Sequence, residues 1–385
     1  MKVALLTDGI YPFVMGGLQK HSYYLAKFLA KNKVQVDLYH CVANEKSLAE
    51  NLEGFSAGEL KFINHTCLRF PSAGKLPGHY LKESWKYASE LFVLIKSKLP
   101  EYDFIYAKGF TAWKLLAEKQ KGLKCPPVGV NFHGLEMFQP APALKSKIEQ
   151  LFLRDPVKWN CLHSDHVFSY GGKITDILTG RVGVIKERII EIPAGIEKDW
   201  LAEETRERGT KIKFLFIGRY ERRKGIEELN SVLKQLLETA DFEFHFIGPI
   251  PLKKQLVSDK IIYHGSISNQ PDIRKIMSLC DVLVCPSHSE GMPNVILEAM
   301  ASGLAIIATD VGAISEMIDE KNGWLISPND KPGLKKAIDN ACNAKTDILT
   351  YKKRNSVRKV IDNFTWDIIA DKTFNALSNL IKEKV

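Results

Sequence analysis

Residues 281 to 309 read DVLVCPSHSEGMPNVILEAMASGLAIIAT, and this stretch decides the fold. DVLVC is a short run that is apolar on both faces and closed by Pro286, the pattern of a strand covered on both sides. Pro293 suits the first helical position because its missing amide hydrogen costs nothing there, and Gly303 suits the stop. The spacing therefore predicts a helix from about Pro293 to Ser302. LAIIAT then repeats the buried-strand pattern, so strand, helix and strand make a βαβ unit whose two strands run parallel.

Working outward, the same punctuation recurs along the chain. KVALLT, VQVDLY, DFIYA, PVGVNF, HVFSY and IIEI form one series, and IKFLFIG, FEFHFIG, IIYHG, DVLVCPS, LAIIAT and GWLIS form a second. Two successive series imply two doubly wound α/β domains. The break falls at residues 192–210, IPAGIEKDWLAEETRERGT, where a Pro-Ala-Gly turn leads into a highly charged segment. The last segment has Trp366, Ile369, Phe374, Leu377 and Ile381 at helical spacing, so the chain ends in a helix that needs a packing partner. The expected division is 1–193, 194–365 and a final helix over 366–385.

A chain of 385 residues, 45% of them hydrophobic, can support two such cores. No apolar run reaches the roughly 18 residues that span a bilayer, and seven scattered cysteines without a C-x-x-C read as reduced thiols. A cytoplasmic protein is expected. The net charge of +9 lies wholly in the first half: residues 1–190 hold 26 Lys and Arg against 17 Asp and Glu, and the remainder 28 against 28. That asymmetry suits an anionic partner on one lobe, whether nucleic acid, membrane surface or charged acceptor, or simply a lysine-rich solvated face.

Open parallel sheets bind ligands beyond the carboxyl ends of their strands, which directs attention to four places. Gly16 and Gly17 follow the first strand and precede a helix; such a pair admits close backbone approach to a ligand or merely makes a tight turn. His133 stands at the end of PVGVNF, a position equally open to a structural histidine. Arg219, Arg222, Arg223 and Lys224 crowd the loop after IKFLFIG, and cations so close invite an anion such as a diphosphate. Glu290 precedes the Pro293 helix and Glu298 lies inside it, with the Asn294 and Val295 amides between them. Two carboxylates beside an anion site suit hydroxyl grips on sugar rings better than a metal site or a glycosidase pair.

GRYERRKG, PSHSEGMPNVILEAMASGLAIIATDVGAISEMI, GGLQKH, NFHGLE and IPAGIE, in that arrangement over nearly the whole chain, resemble the retaining GT-B glycosyltransferases of the family 4 group. The resemblance implies two Rossmann-like domains facing a central cleft, with the final helix crossing back to the first lobe. It implies a metal-independent hexosyl transfer, without cofactor, from a UDP- or GDP-linked sugar to a sugar or lipid-linked hydroxyl acceptor in polysaccharide, lipopolysaccharide or glycolipid assembly. Nucleic acid drops out as a partner. By the same resemblance Glu290 contacts donor-sugar hydroxyls, Glu298 holds the ribose, and Arg219 and Lys224 face the diphosphate. His133 lies near the donor sugar, Gly16 and Gly17 approach the phosphates, and Gly291, Met292, Pro293, Asn294 and Val295 complete the donor loop. Ala194-Gly195 stands where many relatives have Asn-Gly, and Gln19 where glutamate is frequent. A nucleotide-sugar epimerase or phosphorylase on this fold, or a noncatalytic nucleotide-sugar sensor, is the alternative.

One helical segment bears on the acceptor. In HYLKESWKYASELFVLIKSKL, residues Leu81, Trp85, Ala88, Phe92, Ile95 and Leu99 form a stripe beside Lys82, Lys86, Lys96 and Lys98. It fits sheet packing, and it also fits peripheral attachment to the cytoplasmic face of an anionic membrane.

Overall fold

The computed structural model describes residues 1–14, 16–42, 52, 54–72, 74, 78–141, 144–204 and 209–382, with the side chains of 144–146 left aside. Residues 205–208 of the charged break and 383–385 of the final segment lie outside this set. The chain divides into two units, one of residues 1–138, 148–194 and 366–385, the other of residues 139–147 and 195–365.

Among the described residues the first unit holds seven strands: β1 (Lys2–Leu6), β2 (Gln35–Val42), β3 (Ile63–Arg69), β4 (Phe104–Lys108), β5 (Val128–Asn131), β6 (His166–Ser169) and β7 (Ile189–Glu191). Their order is β3-β2-β1-β4-β5-β6-β7 and every pairing is parallel. Strand β3 escapes a search for apolar runs. Its sequence INHTCLR lies at a sheet edge, where only Ile63 is fully buried and the remaining side chains reach water or its margin.

The second unit repeats the plan with β8 (Ile212–Ile217), β9 (Phe242–Ile247), β10 (Ile261–Tyr263), β11 (Val282–Cys285), β12 (Ala305–Thr309) and β13 (Gly323–Ile326) in the order β10-β9-β8-β11-β12-β13. Its core stacks Phe214, Phe216, Phe242, Phe244 and Phe246 against Ile226, Leu229 and Leu233 of the Ile226–Leu236 helix. Both sheets reverse strand order once, between β1 and β4 and between β8 and β11, and such reversals open the crevices where α/β sheets bind ligands.

The helix Trp366–Lys382 belongs to the first unit and packs on the helix Gly17–Lys31. Trp366 lies among His21, Tyr24 and Phe28, with ring centroids 5.3, 5.6 and 5.9 Å away, and Lys31 pairs with Asp367 at 2.9 Å. Among the described residues no helix is long and apolar enough to cross a membrane.

The helix His79–Ile95 corrects the stripe read from sequence. Its buried side is Glu83, Ser84, Tyr87, Ala88, Leu91 and Ile95, continued by Leu99. Trp85 turns outward, 38% exposed, and stacks edge-on against Trp113 at 5.3 Å. Tyr87 supplies the reason: its hydroxyl donates to the Thr7 carbonyl at 2.8 Å, which fixes the rotation of the helix on the sheet.

Candidate functional site

In the second unit, the loops after β8 and β11 are pressed together by backbone geometry. Gly225 has φ +68°, and a Cβ there would meet the Pro286 carbonyl oxygen at 1.9 Å, so only glycine fits the approach. The His288 amide donates to the Arg223 carbonyl at 2.8 Å across the same seam. On the other side Gly312, φ +59°, lies against the Glu290 and Gly291 carbonyls, where a Cβ would come within 2.3 and 2.4 Å.

This seam places Glu290 among cations. Lys224 Nζ lies 2.7 Å from its Oε1, Arg223 lies 3.3 Å from Oε2, and Ser287 Oγ donates to Oε1 at 2.8 Å. Burial works to raise the Glu290 pKa, but Lys224 and Arg223 outweigh it and hold the carboxyl below the usual range. Gln139 fixes the backbone of the same residue: its side-chain amide donates to the Glu290 carbonyl at 2.6 Å and accepts from the Glu290 amide at 3.3 Å. Nothing local in LEMFQP announces this, because the partner lies 151 positions away in sequence.

The anionic groups among the loop cations are carboxylates of the chain itself. Arg219 pairs with Glu221 at 2.9 Å, Arg222 with Glu228 and with Glu227 at 3.4 Å, and Arg223 and Lys224 with Glu290. Glu221 lies within the loop itself, whereas Glu227 and Glu228 come from the helix that follows and Glu290 from beyond β11, so a count of the loop alone misses those three. Arg219 is the outlying member, its side chain 72% exposed, while Lys224 is largely covered.

Beyond Glu290 the chain runs through Gly291 and buried Met292 into the helix Asn294–Ala301, whose N-cap Pro293 offers no side-chain cap to the Asn294 and Val295 turn. Glu298 lies on this helix and is buried. Glu290, Lys224 and the helix start are thus gathered at the reversal between β8 and β11, whereas Arg219 points to solvent.

In the first unit, Gly16 is the N-cap of the helix Gly17–Lys31, also without a side-chain cap. Gln19 turns back so that its amide lies 3.3 Å from Asp8, just past β1. Burial raises the Asp8 carboxyl to about 6, against the lowering effect of its hydrogen bonds and of Lys108. His133 follows β5 with φ +56°, its amide donating to Asn131 Oδ1 at 2.8 Å. Its ring meets His21 of the Gly17–Lys31 helix edge-on at 5.4 Å, so this helix and His133 share one cluster. Sequence reading missed two members at strand ends. Lys108 at the end of β4 is fully buried and lies 2.9 Å from His21 Nδ1, and Tyr170 just past β6 is bonded to His133 Nδ1. The only available signal was that each follows a strand at its carboxyl end.

Comparison with known proteins bears on both units. The model described as Glycosyltransferase Family 4 matches residues 15–200, and the one described as Glycosyl transferases group 1 matches residues 211–343. A putative teichuronic acid biosynthesis glycosyltransferase of Bacillus subtilis is 35% identical over 124 residues, covering 32% of this chain and 31% of that protein. The match thus spans about a third of that relative's length. An uncharacterized glycosyltransferase of Methanocaldococcus jannaschii is 23% identical over 402 residues and 97% of each chain. Among solved structures, the sucrose-phosphate synthase of Thermosynechococcus elongatus superposes with a TM-score of 0.78 at 17% identity over 99% of both chains. An Anabaena protein in complex with UDP and glucose gives 0.64 at 18% identity, over 98% of this chain and 99% of that one. At such identities the superpositions establish a shared fold.

Proposed function

Because the chain belongs to the GT-B glycosyltransferases defined by the family 4 and group 1 models, we propose that it is a retaining, metal-independent hexosyltransferase. It takes a sugar from a nucleotide diphosphate sugar and delivers it to a sugar or lipid-linked hydroxyl in polysaccharide, lipopolysaccharide or glycolipid assembly. The observation that carries the reading is the Glu290 carboxylate, buried and ionised between Lys224 and Arg223, beside a helix N-terminus at the strand reversal of the second sheet.

Each part has a chemical task. The Asn294 and Val295 end of the helix favours negative charge, and Lys224 adds a fixed cation beside it. Arg219 is held only by an exposed pair with Glu221, a weak interaction, so it turns readily onto a diphosphate. Charge grows on that diphosphate as the glycosidic bond breaks, and groups already aimed at it stabilise the transition state more than the ground state. Glu290 and Glu298, as carboxylates, accept hydrogen bonds from sugar and ribose hydroxyls respectively. The leaving phosphate takes the acceptor proton on the same face. The relative of Bacillus subtilis, named for teichuronic acid, and the Anabaena complex with UDP support the polysaccharide and nucleotide parts.

Incubation with UDP-, GDP- and ADP-sugars is expected to raise the melting temperature with one of them and to release the sugar slowly. Turnover should survive EDTA, since side-chain cations neutralise the diphosphate. Loss on chelation, restored by magnesium or manganese, overturns the charge assignment; indifference to every nucleotide sugar overturns the function.

The acceptor side of the proposal rests on the outward face of the helix His79–Ile95. That face carries Trp85 and Val93, with Leu94 at its edge, beside Lys82 and Lys86, and Lys96 is exposed just beyond it. Aromatic and aliphatic side chains among lysines suit a helix lying in an anionic interface. The protein should sediment with vesicles containing phosphatidylserine but not with pure phosphatidylcholine. Salt should reverse the binding, because each lysine contributes about 1 kcal/mol and is screened beyond roughly 10 Å at 0.1 M. Glutamine at Lys82, Lys86, Lys96 and Lys98 should abolish sedimentation and spare nucleotide affinity. A protein that ignores anionic vesicles at low salt has a soluble acceptor.

A further inference from the structure

The cluster at the strand ends of the first unit contains a histidine whose protons can be placed. The Tyr170 hydroxyl is buried, and burial keeps its pKa well above the ordinary value, so it retains its proton. A buried hydroxyl needs an acceptor, and the ring nitrogen bonded to it is His133 Nδ1. Burial first, and then the neighbouring Lys108, push the His133 pKa well below its usual value, so the ring is neutral. A neutral imidazole that accepts at Nδ1 carries its hydrogen on Nε2. Among the described residues His133 Nε2 is buried without a hydrogen-bond partner.

The geometry leaves the ring little freedom to choose otherwise. The backbone at His133 is held at φ +56° by the bond to Asn131 Oδ1, and the ring is walled by His21 and Tyr170, each edge-on at 5.4 Å. Although His21 lies edge-on to the ring and bonds Lys108 Nζ through its Nδ1 at 2.9 Å, it is not a hydrogen-bond partner of His133 Nε2. Tyr170 and His21 touch the ring and Lys108, after burial, lowers its pKa, while the Glu136 carboxylate acts on Tyr170 and is not among the causes that shift His133.

We propose that Tyr170 is a positioning residue that fixes His133 as the neutral Nε2–H tautomer, so that the ring presents a single hydrogen-bond donor to an uncharged oxygen of the substrate, such as a sugar hydroxyl. The catalytic consequence rests on the glycosyltransferase reading, but the proton assignment does not. A neutral donor attracts a hydroxyl oxygen without the pull that an imidazolium would exert on an anion. Without the Tyr170 hydroxyl, ring packing persists but the two tautomers come close to equal energy, and half the rings then present a lone pair to an oxygen.

The test needs no substrate. In protein labelled with 15N-histidine, long-range proton–nitrogen correlation reads the protonation of each ring nitrogen, and the His133 signals are those lost in His133→Gln. The wild type is expected to show an unprotonated Nδ1 and a protonated Nε2, with no titration between about pH 5 and 8, where a free histidine would change. Tyr170→Phe keeps the ring but removes the hydroxyl, and the ratio of tautomers should fall by about tenfold, the worth of one hydrogen bond. A wild-type His133 protonated at Nδ1 overturns the proposal outright, even if the variant fails to fold. An unchanged ratio in a folded Tyr170→Phe overturns it equally. Failure of the glycosyltransferase reading would show in the nucleotide-sugar panel and leave these spectra untouched.

Discussion

Replacing Glu290 with glutamine is expected to lower kcat/KM for glycosyl transfer by about a thousandfold, the upper range for removing one preorganised electrostatic group. The substitution keeps the shape and the Ser287 bond but deletes the charge between Lys224 and Arg223. Two consequences follow. The donor-sugar hydroxyls lose an ionic acceptor, and Lys224 loses the anchor that holds its ammonium at the strand reversal, so its charge is no longer preset when the diphosphate departs. Binding of bare UDP or GDP should hardly change, because Glu298 still holds the nucleoside and Lys224, though less firmly placed, keeps its charge for the diphosphate. Glu298→Ala should show the reverse, a nucleotide affinity weakened about tenfold or more, the usual cost of removing a charged hydrogen-bond partner. Calorimetry with the bare nucleotide and with the nucleotide sugar separates the two. Equal losses of nucleotide affinity in both variants would show that the grips are wrongly assigned, and full activity in Glu290→Gln would remove Glu290 from the site.

The contrast between these two glutamates shows why part of the site was legible in the sequence and part was not. Glu290, Pro293 and Glu298 lie within one strand-turn-helix, where proline at the helix start and glycine after it fix the geometry locally, so their placement could be read from residue types. Of the thirteen described strands twelve were legible, most plainly the central ones, because a strand covered on both faces must be apolar throughout. Strand β3 and the outward turn of Trp85 were hidden because each depends on neighbours, one on being a sheet edge, the other on the bond from Tyr87 to Thr7. Gln139, Lys108 and Tyr170 were hidden more completely. Their partners are 151, 87 and 37 positions away, and no local pattern marks a side chain that acts through such a contact. The loop cations make the same point in reverse. Their charge was plain in GRYERRKG, but apart from Glu221 the carboxylates that balance it come from the helix that follows and from beyond β11.

Trp366→Ala should destabilise the first unit by about 3 to 5 kcal/mol, the cost of removing a large aromatic side chain from a packed core. Trp366 is 2% exposed and fills the space between His21, Tyr24 and Phe28, so truncation leaves a cavity that three rings cannot collapse around. Trp366→Phe supplies the control. The indole Nε1 is buried without a hydrogen-bond partner among the described residues, so phenylalanine sheds an unsatisfied donor while keeping most of the ring, and the loss should stay below about 1.5 kcal/mol. Because the two units have separate cores, hydrogen exchange is the suitable measurement. In Trp366→Ala, amide protection should fall in the helices Gly17–Lys31 and Trp366–Lys382 and hold in the sheet from β8 to β13. His21 leans on Trp366 as well as on His133, so the same variant should loosen the His133 ring and lower transfer more than it lowers affinity for UDP. Protection lost equally in both units would mean that the final helix stabilises the whole chain and not the first core alone. Unchanged protection in Gly17–Lys31 would mean that Trp366 merely rests against that helix.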